Sequence, residues 1–459
     1  MLSKPYPFQR RGVRKMERFL ADGAVLNADE MGLGKTFSSL YWIWNYYQFS
    51  DGPVIVVCPA GIKWQWEDEA KRHVGVRCEV LEGMTPSRRG IRREAPIYII
   101  GYPTLAAWMP HLRALEPGVV IFDEIHYLKN RIAKRTIAAK MLAKKIPYRI
   151  GLSGTPLLNR PAELWSGLNI LRPDLYPSFF AYAFRFCKPE RRPWGMTYKG
   201  ATNLPELHLE LKANLMVRRK KAQVLKDLPA KQRTVIPMDI EHRKEYVYAE
   251  KDFIGWLEKS KRRRLKLAAL AAEALVKRGE LKRLAGRLKL KSVISWIEDW
   301  LEETDEKIIL FGIHKKVLRP LYAHFQKQAV LVDGSVTGRK RQQAVNQFTH
   351  DKQIRIFVGN IHAAGVGWNG TAASAVAFVE LDWVPGNHVQ AEDRIHRIGQ
   401  TLKATIYYLV ARNTVEHDLC QILQRKQVVL DSTLDGKSQD DSLDIFDQVD
   451  AMVTDRVKG

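Results

Sequence analysis

Two series of short, apolar, β-branched runs constrain this chain more than any other feature. The first series is Val54-Ile55-Val56-Val57, Ile97-Tyr98-Ile99-Ile100, Val119-Val120-Ile121-Phe122 and the weaker Arg149-Ile150-Gly151-Leu152. The second is Lys307-Ile308-Ile309-Leu310-Phe311, Ala329-Val330-Leu331-Val332, Ile354-Arg355-Ile356-Phe357-Val358, Val376-Ala377-Phe378-Val379 and Ile406-Tyr407-Tyr408-Leu409-Val410. Such runs read as strands buried on both faces, the mark of a parallel sheet. Helical patterns of mixed charge lie between them, so the expected class is α/β, with parallel sheets flanked by helices in two lobes.

A length of 459 residues allows two or three domains at roughly 100–200 residues each. The reading places one lobe at 1–230, with a helical insertion rich in aromatics and prolines at about 160–215. A basic helical linker follows at 231–300, the second lobe at 301–430, and an acidic tail at 431–459, flexible or with a short docking helix around 443–452.

Lys and Arg total 74 against 50 acids, a formal charge of +24. That balance favours a polyanionic partner, either nucleic acid or an acidic membrane surface. No stretch offers the roughly 18 apolar residues of a spanning helix, and the N-terminus has no apolar signal core, so no membrane is expected. The cysteines at 58, 78, 187 and 420 form no CxxC pair. Neither zinc nor a disulfide framework is therefore expected, and reduced cysteines fit an intracellular protein. The stretch from Lys261-Arg262-Arg263-Arg264 to Lys291 interleaves Leu and Ala with bases. It suits a solvated helix face, a DNA-contacting surface or a mimic of a nuclear-localisation signal.

Three motifs carry chemistry. In the first, Asp29-Glu30-Met31-Gly32-Leu33-Gly34-Lys35-Thr36 follows an apolar run and opens a helical one. Glycines let backbone N–H groups face phosphate oxygens, and the helix N-terminus adds its positive end. Lys35 reaches the β- and γ-phosphates and Thr36 holds Mg²⁺, although the strict pattern has Gly where Asp29 stands. In the second, Asp123-Glu124 ends the third strand run, at the edge of a parallel sheet that faces ligands. Asp123 is placed to hold Mg²⁺ and Glu124 to polarise the attacking water; a surface acidic pair is the plain alternative. In the third, Arg394 and Arg397, three apart, are expected on one helix face. They are either surface arginines in ion pairs or a pair that stabilises charge on a γ-phosphate.

Taken in order, these blocks resemble the Swi/Snf-type DNA translocases of helicase superfamily two. The blocks are Phe8-Gln9-Arg10-Arg11-Gly12-Val13, Ala28 through Thr36, Val57-Cys58-Pro59-Ala60 with Trp64-Gln65-Trp66-Glu67, and Asp123-Glu124-Ile125-His126 with Leu128-Lys129-Asn130. Then come Leu152-Ser153-Gly154-Thr155-Pro156, Ala363-Ala364-Gly365-Val366-Gly367 and the block at 390–400. Arg192-Pro193-Trp194-Gly195, Asn203-Leu204-Pro205-Glu206-Leu207 and Leu228-Pro229-Ala230-Lys231-Gln232-Arg233 resemble the annealing-helicase subgroup. The likeness spans about residues 5–430. It departs from the family at Ile125 before His126 and at Trp368-Asn369-Gly370.

The resemblance implies two RecA-like lobes with ATP and Mg²⁺ between them. It implies that Gln9 reads adenine, that Met31, Gly32, Leu33, Gly34 and Gly367 join Lys35 and Thr36 around the nucleotide, and that Ser153, Thr155 and Gln390 couple the ATP cleft to DNA. Pro59, Ala60, Lys63, Tyr102, His362 and Thr371 would lie along the DNA, mostly at phosphates. Trp64 and Trp66 offer rings for base stacking, with core packing expected of at least one. The implied activity is that of an ATP-driven translocase on double-stranded DNA, remodelling branched DNA and working as a monomer. It would act in the cytoplasm of a bacterial or phage-infected cell, or in the nucleus if the source is eukaryotic. The rival readings are a strand-separating helicase on single-stranded DNA or RNA, a motor that displaces DNA-bound protein, and a non-hydrolysing DNA clamp.

Overall fold

The computed structural model describes residues 1–84, 91, 95–154, 160–192, 195–198, 200–262, 267–336, 338–364, 368–423, 452–453 and 456. Thr155, Gly367, Arg263 and Arg264 fall outside these residues, as does the tail from 431 apart from Met452, Val453 and Arg456. The chain divides into two compact units, one chiefly Met1–Glu190 with Tyr198–Leu228 and the other chiefly Pro229–Val429.

Unit one is a seven-stranded sheet. Its strands are β1 (Ala24–Asn27), β2 (Val54–Cys58), β3 (Cys78–Val80), β4 (Ile97–Gly101), β5 (Val119–Asp123), β6 (Tyr148–Leu152) and β7 (Met216–Val217). They lie in the order β3-β4-β2-β5-β6-β1-β7, every pairing parallel. The four expected runs are all strands here, and β2, β4 and β5 are buried along their whole length. Leu26, Ile55, Val57, Ile100, Val120 and Phe122 share one core with the helices that cover the sheet. The stretch expected as a helical insertion carries helices Trp165–Leu171, Phe179–Phe186 and Leu204–Asn214.

Unit two has six parallel strands: β8 (Lys231–Met238), β9 (Ile308–Gly312), β10 (Ala329–Val332), β11 (Ile356–Asn360), β12 (Ala375–Phe378) and β13 (Ala404–Ala411). Their order is β8-β13-β12-β9-β11-β10. Successive residues of β9 serve opposite faces, Ile309 and Phe311 in one cluster and Ile308 and Leu310 in another. The α/β class and the paired parallel sheets thus stand as the sequence implied.

Several strands escaped the reading, three of them for reasons their positions explain. Met216–Val217 is two residues long, and Cys78–Val80 is a half-buried edge. The segment expected to open a basic helical linker is instead strand β8, on an outer edge of its sheet. There it can carry Pro237 and keep polar residues at Lys231, Gln232 and Arg233, so it lacks the apolar run that marks a central strand. Of the tail's described residues, Val453 is buried in the unit-two core, and Arg456 pairs with Asp418 at 2.6 Å and with Glu250. Among the described residues no helix is long and apolar enough to cross a membrane.

Candidate functional site

Strand register in unit one brings the motifs to one level. Asn27 of β1 and Asp123 of β5 are both aligned with Leu152 of β6, the strand between them. Because the strands run parallel, the loop after Asn27, Glu124 after Asp123 and Ser153 after Leu152 leave the sheet side by side. These are the strand ends at which open α/β sheets take ligands.

The loop is held by backbone geometry and by Gln9. Gly32 and Gly34 have φ of +84° and +79°, and Gly34 caps helix Lys35–Tyr46. A Cβ on Gly34 would meet Gln9 Nε2 at 2.6 Å, so both φ and space demand glycine. Gln9 is buried; its Nε2 donates to the Leu33 carbonyl at 3.2 Å and its Oε1 accepts the Tyr6 N–H at 2.9 Å. Lys35 Nζ donates to the Asp29 carbonyl at 3.0 Å. A Cβ on Gly154 would lie 3.0 Å from that ammonium and collide with buried Met31, so the two loops are closely apposed. Thr36 follows in the first helical turn, half-buried.

Asp29, the departure from the glycine pattern, is fully buried in an ion pair. Arg219 Nε donates to its Oδ1 at 2.9 Å and Nη2 to its Oδ2. The same guanidinium reaches the Phe8 carbonyl and lies 5.4 Å from the Phe8 ring centroid, passing where a Cβ on Gly12 would stand. Arg218 donates to the Ala28 carbonyl at 2.9 Å, and the Glu30 carboxylate accepts the Lys221 N–H. The segment 218–221 therefore braces the loop from behind. Sequence reasoning missed this brace, because nothing local links residues so far apart.

The carboxylates sit opposite. Asp123 accepts the Trp66 indole N–H at 2.7 Å and the Glu124 N–H at 2.9 Å. Burial, with the Glu124 charge beside it, pushes its carboxyl up to about 6, against the pull of the Trp66 hydrogen bond and Lys35. Glu124 has φ of +51°, a left-handed backbone that costs a non-glycine residue roughly 1–3 kcal/mol. Its side chain accepts the Ser153 hydroxyl at 3.4 Å and lies 3.3 Å from His126 Nδ1, which is itself 3.1 Å from Ser153 Oγ. A threonine hydroxyl and a carboxylate are the hard oxygen donors that Mg²⁺ takes. Lys35 and a helix N-terminus suit phosphates. The residues present fit a Mg²⁺–nucleotide.

In unit two, Arg394 and Arg397 meet, but not as helix neighbours. Helix Pro385–Glu392 ends before them. Instead, Arg394 Nη1 and Arg397 Nη1 both donate to the Trp368 carbonyl, at 3.1 and 3.2 Å. Arg394 Nε donates to the carbonyl of buried Gln390 at 3.3 Å, and the Gly370 N–H donates to the Arg394 carbonyl at 3.0 Å. Beside them, buried Glu392 accepts from Lys231 at 2.8 Å, Arg233 at 2.7 Å and Tyr408 at 2.7 Å. Burial alone would raise its carboxyl; Lys231 and Arg233 hold it well below the usual range.

The expected DNA residues divide. Ala60 is exposed at the start of the turn Ala60–Ile62, behind buried Pro59. Lys63 is buried, with its ammonium on the Leu81 carbonyl at 2.9 Å. Tyr102 is 1% exposed, donates to the Asp123 carbonyl at 2.8 Å and stacks on Tyr127 at 5.6 Å. Both side chains thus turn into unit one. Trp66 is the core tryptophan, and Trp64, 42% exposed, is the ring on the surface. In unit two, His362 is exposed with Nε2 2.9 Å from Asp382, and half-buried Thr371 directs its N–H to Asn369 Oδ1 at 3.3 Å.

Comparison with known proteins gives consistent results. Residues 8–294 match the SNF2-related domain and residues 289–399 the helicase conserved C-terminal domain. The SWI/SNF-related matrix-associated actin-dependent regulator of chromatin subfamily A-like protein 1 of Xenopus tropicalis is 35% identical over 429 residues, 92% of this chain and 44% of that protein. The DNA annealing helicase and endonuclease ZRANB3 of Homo sapiens is 32% identical over 452 residues, 95% of this chain and 41% of that protein. The chain thus spans less than half the length of these two relatives. The Sulfolobus solfataricus SWI2/SNF2 ATPase core, solved with dsDNA, aligns at 23% identity and a TM-score of 0.46, over 95% of this chain and 96% of that one. With a single SNF2-related match covering more than half its length, this chain belongs to the SNF2-related family of helicase-type ATPases.

Proposed function

We propose that the chain is an ATP-dependent translocase on double-stranded DNA that remodels branched DNA by fork regression, strand annealing or branch migration. The observation that carries the reading is the cluster at the strand ends of unit one, where Lys35, Asp123, Glu124, His126 and Ser153 converge. ATP with Mg²⁺ supplies the phosphoanhydride bond whose cleavage drives the cycle. Lys35 and the N-terminus of helix Lys35–Tyr46 neutralise phosphate charge, while Thr36 and Asp123 hold the cation. Gln9 reads adenine. Glu124 orients the water and takes its proton. Ser153, hydrogen-bonded to Glu124, passes the state of that carboxylate to the rest of the lobe. Arg394 and Arg397 stabilise the charge that develops on the phosphoryl group.

On the DNA side, the net charge of +24 supports binding dominated by backbone phosphates and weak in sequence preference. Ala60, Trp64, His362 and Thr371 are the surface positions assigned to it, and the chain works as a monomer. The annealing reading is supported by the name of the human relative, a DNA annealing helicase.

ATPase measured side by side on duplex, single-stranded, forked and four-way DNA and on RNA tests the proposal. Strongest stimulation by forked or four-way DNA, abolished in Lys35→Ala, is the expected result. Stimulation by single strands or RNA alone would make the chain a strand-separating helicase. Undiminished stimulation in Lys35→Ala would dismiss the nucleotide site.

A further inference from the structure

Helix Phe179–Phe186 turns Tyr182, Ala183 and Phe186 into the unit-one core and leaves two large rings outside. Phe180 and Phe184, four apart and so on one helix face, are 55% and 58% exposed. Half-buried Tyr198 joins them: its ring centroid lies 6.2 Å from that of Phe180, 6.3 Å from that of Phe184 and 5.3 Å from that of Phe179. From Phe179 the aromatic band continues to Trp165, steeply inclined to it at 5.4 Å. Cations lie on this band. The Arg131 guanidinium is 4.6 Å from the Phe179 ring centroid, and the Lys140 ammonium is 6.0 Å from that of Trp165. Both residues are exposed, and among the described residues neither is in an ion pair with a carboxylate. The acids that face this helix, Glu206 and Glu210, are taken by Arg185. The charge left open on the band is therefore positive.

We propose that this band is a stacking platform for the unpaired bases of a DNA strand, on elements other than the nucleotide loop and the helix of Trp64. Exposed apolar side chains gathered in one patch mark a binding face. Here the patch is aromatic and bears cations, which selects a partner that offers flat π-faces and negative charge along one chain. Single-stranded nucleic acid has both: its bases stack on aromatic rings and its phosphates meet the basic groups. A duplex keeps its base faces stacked on one another and closed to a protein. An acidic peptide would meet the cations and leave the rings bare. The inference rests on the branched-DNA reading, because a forked substrate presents an unpaired arm beside a duplex. Phe180 and Phe184 would hold bases of that arm while Arg131 meets its backbone.

The test titrates the full chain, without nucleotide, against oligo-dT, a blunt duplex and a fork with single-stranded arms. The variants are Phe180→Ala, Phe184→Ala and Arg131→Gln, all at exposed positions, so melting temperatures are expected to stay near wild type. Each lost stacking contact should weaken oligo-dT and fork binding by about 5-fold or more, with blunt-duplex affinity within about 2-fold. For Arg131→Gln, the slope of log K against log salt on oligo-dT falls by about 0.7 for one lost phosphate. Phe184→Trp, which keeps a π-face, restores binding, whereas Phe184→Leu, which keeps only apolar area, does not. Wild-type affinity for oligo-dT and fork in both phenylalanine variants overturns the platform, and so does an equal loss on the blunt duplex or full rescue by leucine. Sedimentation of the same variants covers one more occupant: lost self-association with unchanged DNA binding would make the face a contact between copies of this chain. Wild-type ATPase that no DNA stimulates would end the translocase reading, while the binding losses still decide the platform.

Discussion

Asp29 and Arg219 stand 190 residues apart in sequence, yet they form a two-point ion pair in which the carboxylate is completely buried. The pair ties the phosphate loop to the segment after β7, so loop geometry depends on the late part of unit one. Asp29→Gly restores the residue of the generic loop pattern but leaves the guanidinium without its counter-charge. Removing one partner of a buried pair costs about 3–5 kcal/mol. The expected outcome is a clear fall in the melting temperature of unit one together with weakened nucleotide binding. A double variant, Asp29→Asn with Arg219→Met, recovers part of the lost stability, because no charge is then stranded. Thermal unfolding of the three variants checks this.

Glu124→Gln keeps the size and the left-handed backbone of Glu124 but cannot accept a proton. Hydrolysis is expected to fall by about 10²–10⁴, with nucleotide affinity within a few-fold of wild type. Ser153→Ala removes the hydroxyl donor to Glu124 and is expected to lower DNA stimulation more than basal hydrolysis. Single-turnover hydrolysis with and without duplex, beside a fluorescent-nucleotide titration, separates these effects. Equal loss of basal and stimulated rates in Ser153→Ala would remove the coupling role.

Tyr102→Phe and Trp64→Ala should behave oppositely. The Tyr102 hydroxyl satisfies the Asp123 carbonyl in the core, so its loss is expected to cost about 1–3 kcal/mol of stability and leave duplex affinity unchanged. Trp64 is on the surface, so Trp64→Ala should leave the melting temperature within about 2 °C and weaken DNA binding, by about 1–3 kcal/mol if a base stacks there. A fall in duplex affinity for Tyr102→Phe at unchanged stability would reinstate Tyr102 as a contact.

These contrasts show what could be read before any coordinates. Val54-Ile55-Val56-Val57 and its counterparts announced strands because a central parallel strand must be apolar on both faces. Asp123 and Glu124 announced a site because they end such a strand. Strand β8 gave no such signal, since an edge strand can stay polar and hold a proline. Lys63 and Tyr102 were placed along the DNA by the family resemblance, which names positions and not the directions of side chains. A position alone does not show that an ammonium turns inward to the Leu81 carbonyl or that a phenol caps the Asp123 carbonyl. The Arg219 brace and the shared Trp368 carbonyl were illegible for a related reason: both depend on long-range packing, and local spacing is silent about it.

The acid sensitivity of unit two should centre on His388. Burial pushes its imidazole down to about 4, overcoming the pull of Asp382 and Glu392, and its Nε2 accepts the Asp382 N–H at 3.0 Å. An unfolded chain binds a proton at this residue below about 6.5, whereas the folded unit refuses it until about 4. The stability contribution is therefore complete above about 6.5 and lost as pH falls to about 4, on the order of 3 kcal/mol. Asp382 and Glu392, held below the usual carboxylate range, act only at lower pH. His388→Gln, which keeps an acceptor, is expected to flatten the curve in that window. Denaturant unfolding between pH 4.5 and 7.5 reads it directly, and an unchanged slope would assign the titration elsewhere.

The two arginines of unit two share an anchor, the Trp368 carbonyl, but differ in exposure, and this separates their roles. Arg394 is 5% exposed and also holds the Gln390 carbonyl. Arg394→Ala strips donors from two carbonyls at once and is expected to cost stability as well as activity. Arg397 is less buried, and its carbonyl partner keeps Arg394, so Arg397→Ala should fold normally. If its guanidinium stabilises charge on the phosphoryl group, hydrolysis falls by about 10³ or more with nucleotide affinity little changed. Arg397→Lys should not restore the rate, because an ammonium is a point charge without the planar fork that can hold a carbonyl and a phosphoryl oxygen together. Melting curves and steady-state hydrolysis on the three variants suffice. Wild-type hydrolysis in Arg397→Ala would leave Arg394 alone as the charge-stabilising residue and make Arg397 part of its anchor. Full rescue by lysine would reduce the requirement to charge, with no role for guanidinium geometry.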